Sequence, residues 1–206
     1  MKKAIIAVLF LAGFAGAPVC AENGKYEVGL LPGLSIPVGG DYWGNSTTGV
    51  KSSFALAAYG DYRINDMFAA GLDIGYDFGH KAQGDNVTNS KTKMLQITPH
   101  GKIMKDMDMF GKKGKVYGVL GLGMYNLKFK NDDGDVQDAD GNSSVTKFGF
   151  NLGGGADVEI AQNILLGLEV RWHHVFSALA STNDDGTISK DAVNNITPAL
   201  KIAYTF

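Results

Sequence analysis

The sequence predicts an all-β chain, an eight-stranded antiparallel up-and-down transmembrane β-barrel, and three observations carry that reading. Apolar and polar residues alternate with period two over eight successive segments, the spacing of strands and not of helices. The connections between these segments alternate between short and long. Glycine, which is poor in helix interiors, supplies 28 of the 206 residues, far above the roughly 7% of an average protein.

The chain opens with a stretch that is not part of this pattern. Lys2 and Lys3 form a basic start, Ala4 to Ala15 an apolar run, and Val19-Cys20-Ala21 a small-residue cleavage site, the three parts of a secretory signal peptide. Residues 1–21 are expected to be cleaved, leaving 22–206 as the barrel domain. The apolar run is shorter than the ~20 residues of a spanning helix, and no second such run follows. Cleavage removes two of the 19 basic residues and none of the 21 acidic ones. The mature chain is then mildly acidic, which gives no sign of a nucleic-acid partner. Cys20, the only cysteine, leaves with the signal, so neither a disulfide nor a thiolate site is expected.

The strands follow in order. Tyr26, Val28, Leu30, Pro32, Leu34, Ile36 and Val38 alternate with Glu27, Gly29, Gly33 and Ser35. Phe54, Leu56, Ala58 and Tyr62 alternate with Ser53, Ala55, Ala57 and Asp61. Phe68, Ala70, Leu72, Ile74, Tyr76 and Phe78 stand against Asp73, Asp77 and small residues. Leu95, Ile97, Pro99 and Ile103 oppose Gln96, Thr98, His100 and Lys102. In the fifth segment Tyr117, Val119, Tyr125, Leu127 and Phe129 are assigned the apolar face, with Asn126 and Lys128 opposite. Phe148, Phe150, Leu152, Ala156 and Val158 come next, against Lys147, Asn151, Asp157 and Glu159. Ile164, Leu166, Leu168, Val170 and Trp172 oppose Glu169, Arg171 and His173. The last segment sets Ile196, Pro198, Leu200, Ile202, Tyr204 and Phe206 against Thr197, Lys201 and Thr205.

Segments of roughly 11–14 residues suffice for a tilted strand to cross a bilayer, whereas ordinary strands are nearer five or six. Short connections are expected near 63–67, 105–114 and 160–163, and long polar loops over 39–51, 79–93, 130–146 and 177–193. Short periplasmic turns and long outer loops are the outer-membrane pattern, as is an apolar face carrying aromatic residues near strand ends. A soluble barrel would hide its apolar face inside; here the second face mixes glycine, alanine, hydroxyls and charges.

Leu200, Ile202, Tyr204 and Phe206 alternate up to a terminal phenylalanine, which resembles the C-terminal signal read by the barrel-assembly machinery. The whole mature chain resembles the small eight-stranded outer-membrane families: the OmpA transmembrane domain, OmpX and the opacity proteins. The segment Tyr62-Arg63-Ile64-Asn65-Asp66-Met67-Phe68 with Gly71-Leu72-Asp73 is like their periplasmic hairpin, and Lys115 to Tyr125 is like their glycine-rich strand. The resemblance implies a protein of the Gram-negative-type outer membrane, in contact with its lipid and lipopolysaccharide. The chain ends at Phe206, so a second, peptidoglycan-binding domain is not expected.

Eight strands leave an interior just wide enough for side chains to fill. Its charges must be paired, and hairpin register suggests partners: Glu27 with Arg63, Glu169 with Lys201, and Asp73 with His100. Arg171 is left near Asn151. The plain expectation for this set is a rigid polar plug; the sharper one is a narrow gated pore in which Glu169 exchanges Lys201 for Arg171.

Other motifs carry less. Arg171-Trp172-His173-His174-Val175-Phe176-Ser177 sits at an outer rim, but His174 and Ser177 are three apart and point to opposite faces of an extended strand. No enzyme is expected, and no cofactor. The acidic loop with Asp132, Asp133, Asp135, Asp138 and Asp140 fails as an EF-hand, since Gly141 at the turn would put Val136 and Lys147 at ligand positions. Pro32 and Pro198 each delete a ladder donor in a barrel without free edges. Strands one and eight are neighbours at closure, so both prolines fall on one seam, a place where a lateral path for hydrophobic molecules could open. The expected function is structural and interactive: envelope integrity, and adhesion or binding to an extracellular ligand or host surface through the four long loops. A small pore is the alternative, with lipid A modification behind it.

Overall fold

The computed structural model describes residues 24–39, 43–45, 47, 49–83, 90–132, 134–138, 140–182 and 188–206. The expected signal peptide, residues 1–21, lies outside the described residues. Eight long strands follow one another: β1 Tyr26–Pro37, β2 Ser53–Arg63, β3 Phe68–Lys81, β4 Lys91–Met109, β5 Lys112–Asn131, β6 Ser144–Ala161, β7 Ile164–Thr182 and β8 Ile188–Thr205. Each pairs antiparallel with the next, and β8 pairs with β1, so the sheet closes on itself. A two-residue strand, Gly134–Asp135, folds back on the end of β5 in the loop before β6.

Outward positions carry the apolar belt. Leu72, Ile74, Ile97, Leu120, Leu122, Met124, Leu152, Leu168, Val170 and Ile202 are all exposed on the barrel wall. That surface is stable only against hydrocarbon, and the closed ladder leaves no strand edge to satisfy there. Inward positions are buried and polar: Asp61, Asp73, His100, Lys102, Asn151, Asp157, Glu169, Arg171 and Lys201 among them.

Strand five departs from the sequence reading. Tyr117, Val119, Tyr125 and Leu127 are buried in the lumen, and Leu120, Leu122 and Met124 face lipid. Both faces of β5 are apolar, so alternation alone does not choose between them. The phenols of Tyr117 and Tyr125 decide it, since each finds polar partners only inside.

The β4–β5 connection is also shorter than the expected 105–114. Both strands run on past the apolar belt as a polar ladder to Met109 and Lys112. Only Phe110 and Gly111 turn, with φ of 54° and 73°, the two-residue hairpin whose twist suits the strands.

Candidate functional site

The lumen is filled in two layers. At its outer end Trp43, Val50, Met94, Tyr125, Leu127, Val175, Ala178, Leu179 and Val193 form one buried apolar cluster. Trp43 is contributed by the segment after β1 and is 1% exposed. Its indole N–H donates to Asn195 Oδ1 at 2.8 Å, and its ring meets His80 edge-on. The indole packs into the lumen as part of this cluster.

Below this cap lies an ionic network to which every one of the eight strands contributes a charge. One group joins Glu27 (β1), Lys115 (β5), Asp157 (β6) and Lys201 (β8). Lys201 Nζ stands 2.8 Å from Glu27 and 2.5 Å from Asp157. Glu27 also receives Lys115 Nζ, and the Tyr59 hydroxyl at 2.7 Å. The second group joins Asp61 (β2), Asp73 (β3), His100 and Lys102 (β4), and Glu169 and Arg171 (β7). Arg171 donates to Glu169 at 2.5 Å and to Asp73 at 2.7 Å. Lys102 donates to Asp61 at 2.6 Å, and Tyr117 donates to Glu169 at 2.8 Å.

His100 links two acids of the second group, with Nδ1 2.8 Å from Asp73 and Nε2 2.7 Å from Asp61. Carboxylate oxygens only accept, so both ring nitrogens donate and the ring is an imidazolium. The charge then balances: Asp61, Asp73 and Glu169 against Lys102, Arg171 and His100. The first group balances on its own. Lys102 and Lys201 lie over the Tyr59 and Tyr117 rings, each 4.4 Å from one of the two centroids, and this joins the groups.

Of the pairs expected from register, Asp73 with His100 is present. Glu27 does not reach Arg63. Arg63 is at the base of β2, bonded to Asp106 at 2.5 Å and to carbonyls of its own turn. Glu169 does not meet Lys201 directly: Glu169 stands opposite Ala199 and Lys201 opposite Gly167, which sends Lys201 to Asp157. Arg171 is bonded to Glu169 and Asp73, and Asn151 donates to the Tyr125 hydroxyl at 3.4 Å. Tyr59, Asp61, Lys102, Lys115, Tyr117 and Asp157 complete the network without having been singled out. Tyr59, Asp61, Lys102 and Asp157 are marked in the sequence only by an inward position, and Lys115 and Tyr117 fall on the face of β5 that alternation assigned outward.

A cavity of about 30 Å³ is lined by Gln96, Glu169, Arg171 and His173, and one of about 40 Å³ by Glu27, Asp61, Lys102 and Lys115 at the periplasmic end. Each has room for about two water molecules.

The β1–β8 seam has its own geometry. Tyr26 and Phe206 exchange both backbone hydrogen bonds, at 3.0 and 2.9 Å, so Val28–Tyr204 and Leu30–Ile202 are hydrogen-bonded rungs in their turn. The next two would be Pro32–Leu200 and Leu34–Pro198, and each lacks one N–H. Between Leu30–Ile202 and Ile36–Ile196 the only pairing is Gly33–Ala199. A Cβ on Gly33 would sit 2.6 Å from the Pro198 carbonyl oxygen, so glycine is what lets the strands close there. At the C-terminus Leu200, Ile202 and Tyr204 face outward, and Phe206 stacks on Tyr26.

The remaining motifs are occupied locally. His174 faces outward among Phe150, Trp172 and Phe176, with Nδ1 2.7 Å from Asn194 Oδ1. Ser177 sits apart from it in a bulge, at φ 48°. In the acidic loop Asp138 caps Asp140 and Asn142, and Asp140 pairs with Lys190. Lys130 and Lys128, bonded to Asp135, hold its carboxyl below the usual carboxylate range.

Solved structures share the architecture. The Neisserial surface protein A is 14% identical with a TM-score of 0.55, covering 90% of this chain and all of its own. The attachment invasion locus protein Ail of Yersinia pestis is 14% identical at 0.54, with the same coverage. OprG of Pseudomonas aeruginosa is 17% identical at 0.55, over 90% of this chain and 97% of its own. No curated protein sequence matches the chain. Residues 5–206 match the family described as outer membrane protein beta-barrel domain, and the chain belongs to that family of outer-membrane barrels.

Proposed function

We propose that this chain is a closed barrel that strengthens the envelope and presents its outer loops to partners outside the cell. The observation that carries this reading is the filled lumen, an indole-capped apolar layer over a charge-balanced ionic layer. Such an interior stiffens a wall and conducts poorly. An outer-face role fits one neighbour: Ail is the attachment invasion locus protein, and a second structure of it holds the heparin analogue sucrose octasulfate. The export route belongs to the same proposal, with residues 1–21 as the cleaved signal and Leu200, Ile202, Tyr204 and Phe206 as the assembly signal. Planar-bilayer recording of the purified full chain tests the closed barrel. The expected trace stays at baseline, and a reproducible unit conductance overturns the reading in favour of a pore.

The seam supports a second reading. Two consecutive rungs short of a donor make β1–β8 the place where a lateral path for small hydrophobic molecules would open. A disulfide between cysteines introduced at Ser35 and Thr197 would lock it. Uptake that is equal with the lock oxidised and reduced removes this alternative. The gated pore requires Glu169 to leave Arg171 for Lys201, so Glu169→Ala would have to change conductance.

A further inference from the structure

Lysines stand side by side on the outer ends of β3, β4 and β5. In the ladder Lys81 is paired with Lys91, Lys91 with Lys130, and Lys93 with Lys128. Lys51, whose N–H donates to the Lys81 carbonyl at 2.7 Å, extends the row by one more segment. Like charges directly opposite each other across strands are destabilising, yet here three such pairs are adjacent in a chain of net negative charge. Asp135 bonds Lys128 and Lys130. Lys51, Lys81, Lys91 and Lys93 have no acidic partner among the described residues.

The depth of the row points to what neutralises it. Lys91, Lys93, Lys128 and Lys130 share the face of Leu95, Ile97, Leu122 and Met124, which meet hydrocarbon, so they lie on the wall of the barrel and not at loop tips. Past the rung Tyr76–Leu95–Asn126 the outward positions of β4 and β5 change to lysine, while β3 carries one more exposed aromatic, Phe78. At ~3.3 Å per residue, the two lysine rungs follow about 7 and 13 Å further along the strands, at headgroup depth in the outer leaflet.

We propose that this row is a binding site for the phosphates of a phosphorylated glycolipid headgroup, the lipid A type of the surrounding outer leaflet, seated against β3–β5. Clustered basic side chains at a membrane surface bind anionic headgroups, and an ammonium group serves a phosphate as a point charge. The site is lateral, within the membrane, and is separate from any partner that the loops engage.

The test uses the full chain in nanodiscs, with bisphosphorylated lipid A and its enzymatically dephosphorylated form as probes and lipid retention read by native mass spectrometry. The wild type should retain the bisphosphorylated form, and raised salt should weaken retention. K81Q/K91Q/K93Q should lose at least about tenfold, while K112Q/K113Q on the periplasmic hairpin should lose nothing. Equal retention of the two lipids by the wild type overturns the proposal, and that comparison needs no variant to fold. K81R/K91R/K93R should restore retention; failure to restore it in a folded barrel also overturns the site. Sucrose octasulfate serves as a soluble polyanion: if it occupies the row while lipid A does not, the lateral site is wrong and the loop-presenting role stands.

Discussion

Lys201 Nζ on β8 lies 2.8 Å from Glu27 Oε1 on β1, an ion pair that crosses the seam where Pro32 and Pro198 each remove a ladder donor. The seam is therefore also tied from inside the lumen, alongside the Val28–Tyr204 and Leu30–Ile202 rungs that precede the two lacking a donor. Lys115 and Tyr59 hold the same carboxylate from the far wall and from β2, so Glu27 is the point at which closure meets the plug.

Replacing Glu27 with glutamine should accordingly be among the most damaging single changes. It leaves Lys115 and Lys201 facing only Asp157, and breaking a buried pair from one side costs about 3–5 kcal/mol. Urea unfolding of the barrel refolded in lipid vesicles measures the loss. A cost below about 1 kcal/mol would mean that the network does not carry the seam.

The prolines and Gly33 should act in opposite directions. Pro198→Ala restores an N–H opposite the Leu34 carbonyl and should stabilise by about 0.5–1.5 kcal/mol. Gly33→Ala forces a methyl against Pro198 and Ala199 and should destabilise by about 1–3 kcal/mol. Amide exchange at residue 198 of the first variant reports whether the rung forms.

His100 should be a cation at neutral pH. Nitrogen-15 spectra of the ring should show both nitrogens protonated, since each faces a carboxylate. A neutral tautomer would contradict the charge balance of the second ionic group.

The two tryptophans should report two environments. Trp43 is buried in the lumen cap and Trp172 is 37% exposed on the lipid face. Brominated lipids should quench Trp172 alone. In a Trp172→Phe variant the remaining emission should resist both brominated lipid and aqueous acrylamide, and quenching by acrylamide would show that the cap opens.

Phe110 takes a left-handed φ of 54° at the tip of the β4–β5 hairpin while 95% exposed. It gives up backbone energy without burying its ring. Phe110→Asn should raise stability by about 1 kcal/mol, read by the same urea titration.

Period-two alternation was enough to place the strands, because lipid selects one face and the lumen the other. It failed on β5, where Leu120, Leu122 and Met124 are as apolar as Val119 and Leu127, and the choice rests on where two phenols find partners. It also misjudged strand ends. Lys105, Asp106, Asp108 and Lys113 look like a turn by composition, yet they continue the ladder beyond the membrane, where polar side chains suit both faces. The ion pairs were legible only where partners are neighbours in a hairpin, as Asp73 and His100 nearly are. Glu27 with Lys115 is a contact across the barrel, between strands 88 residues apart in sequence. Register within hairpins carries no information about which strand stands on the far wall. Trp43 was hidden for a related reason: a loop residue that turns back into the lumen has no periodicity to betray it.

Because every strand but β7 brings a net charge that only other strands can neutralise, a partly formed barrel holds acids without bases. Until β8 arrives, Glu27 and Asp157 lack Lys201; if β8 docks one residue out of step, Lys201 points into hydrocarbon and Leu200 into the lumen. The plug thus works as a checksum on assembly. A ring without β8, or with β8 in the wrong frame, leaves an uncompensated charge, and only the complete ring in its own register brings the total to zero.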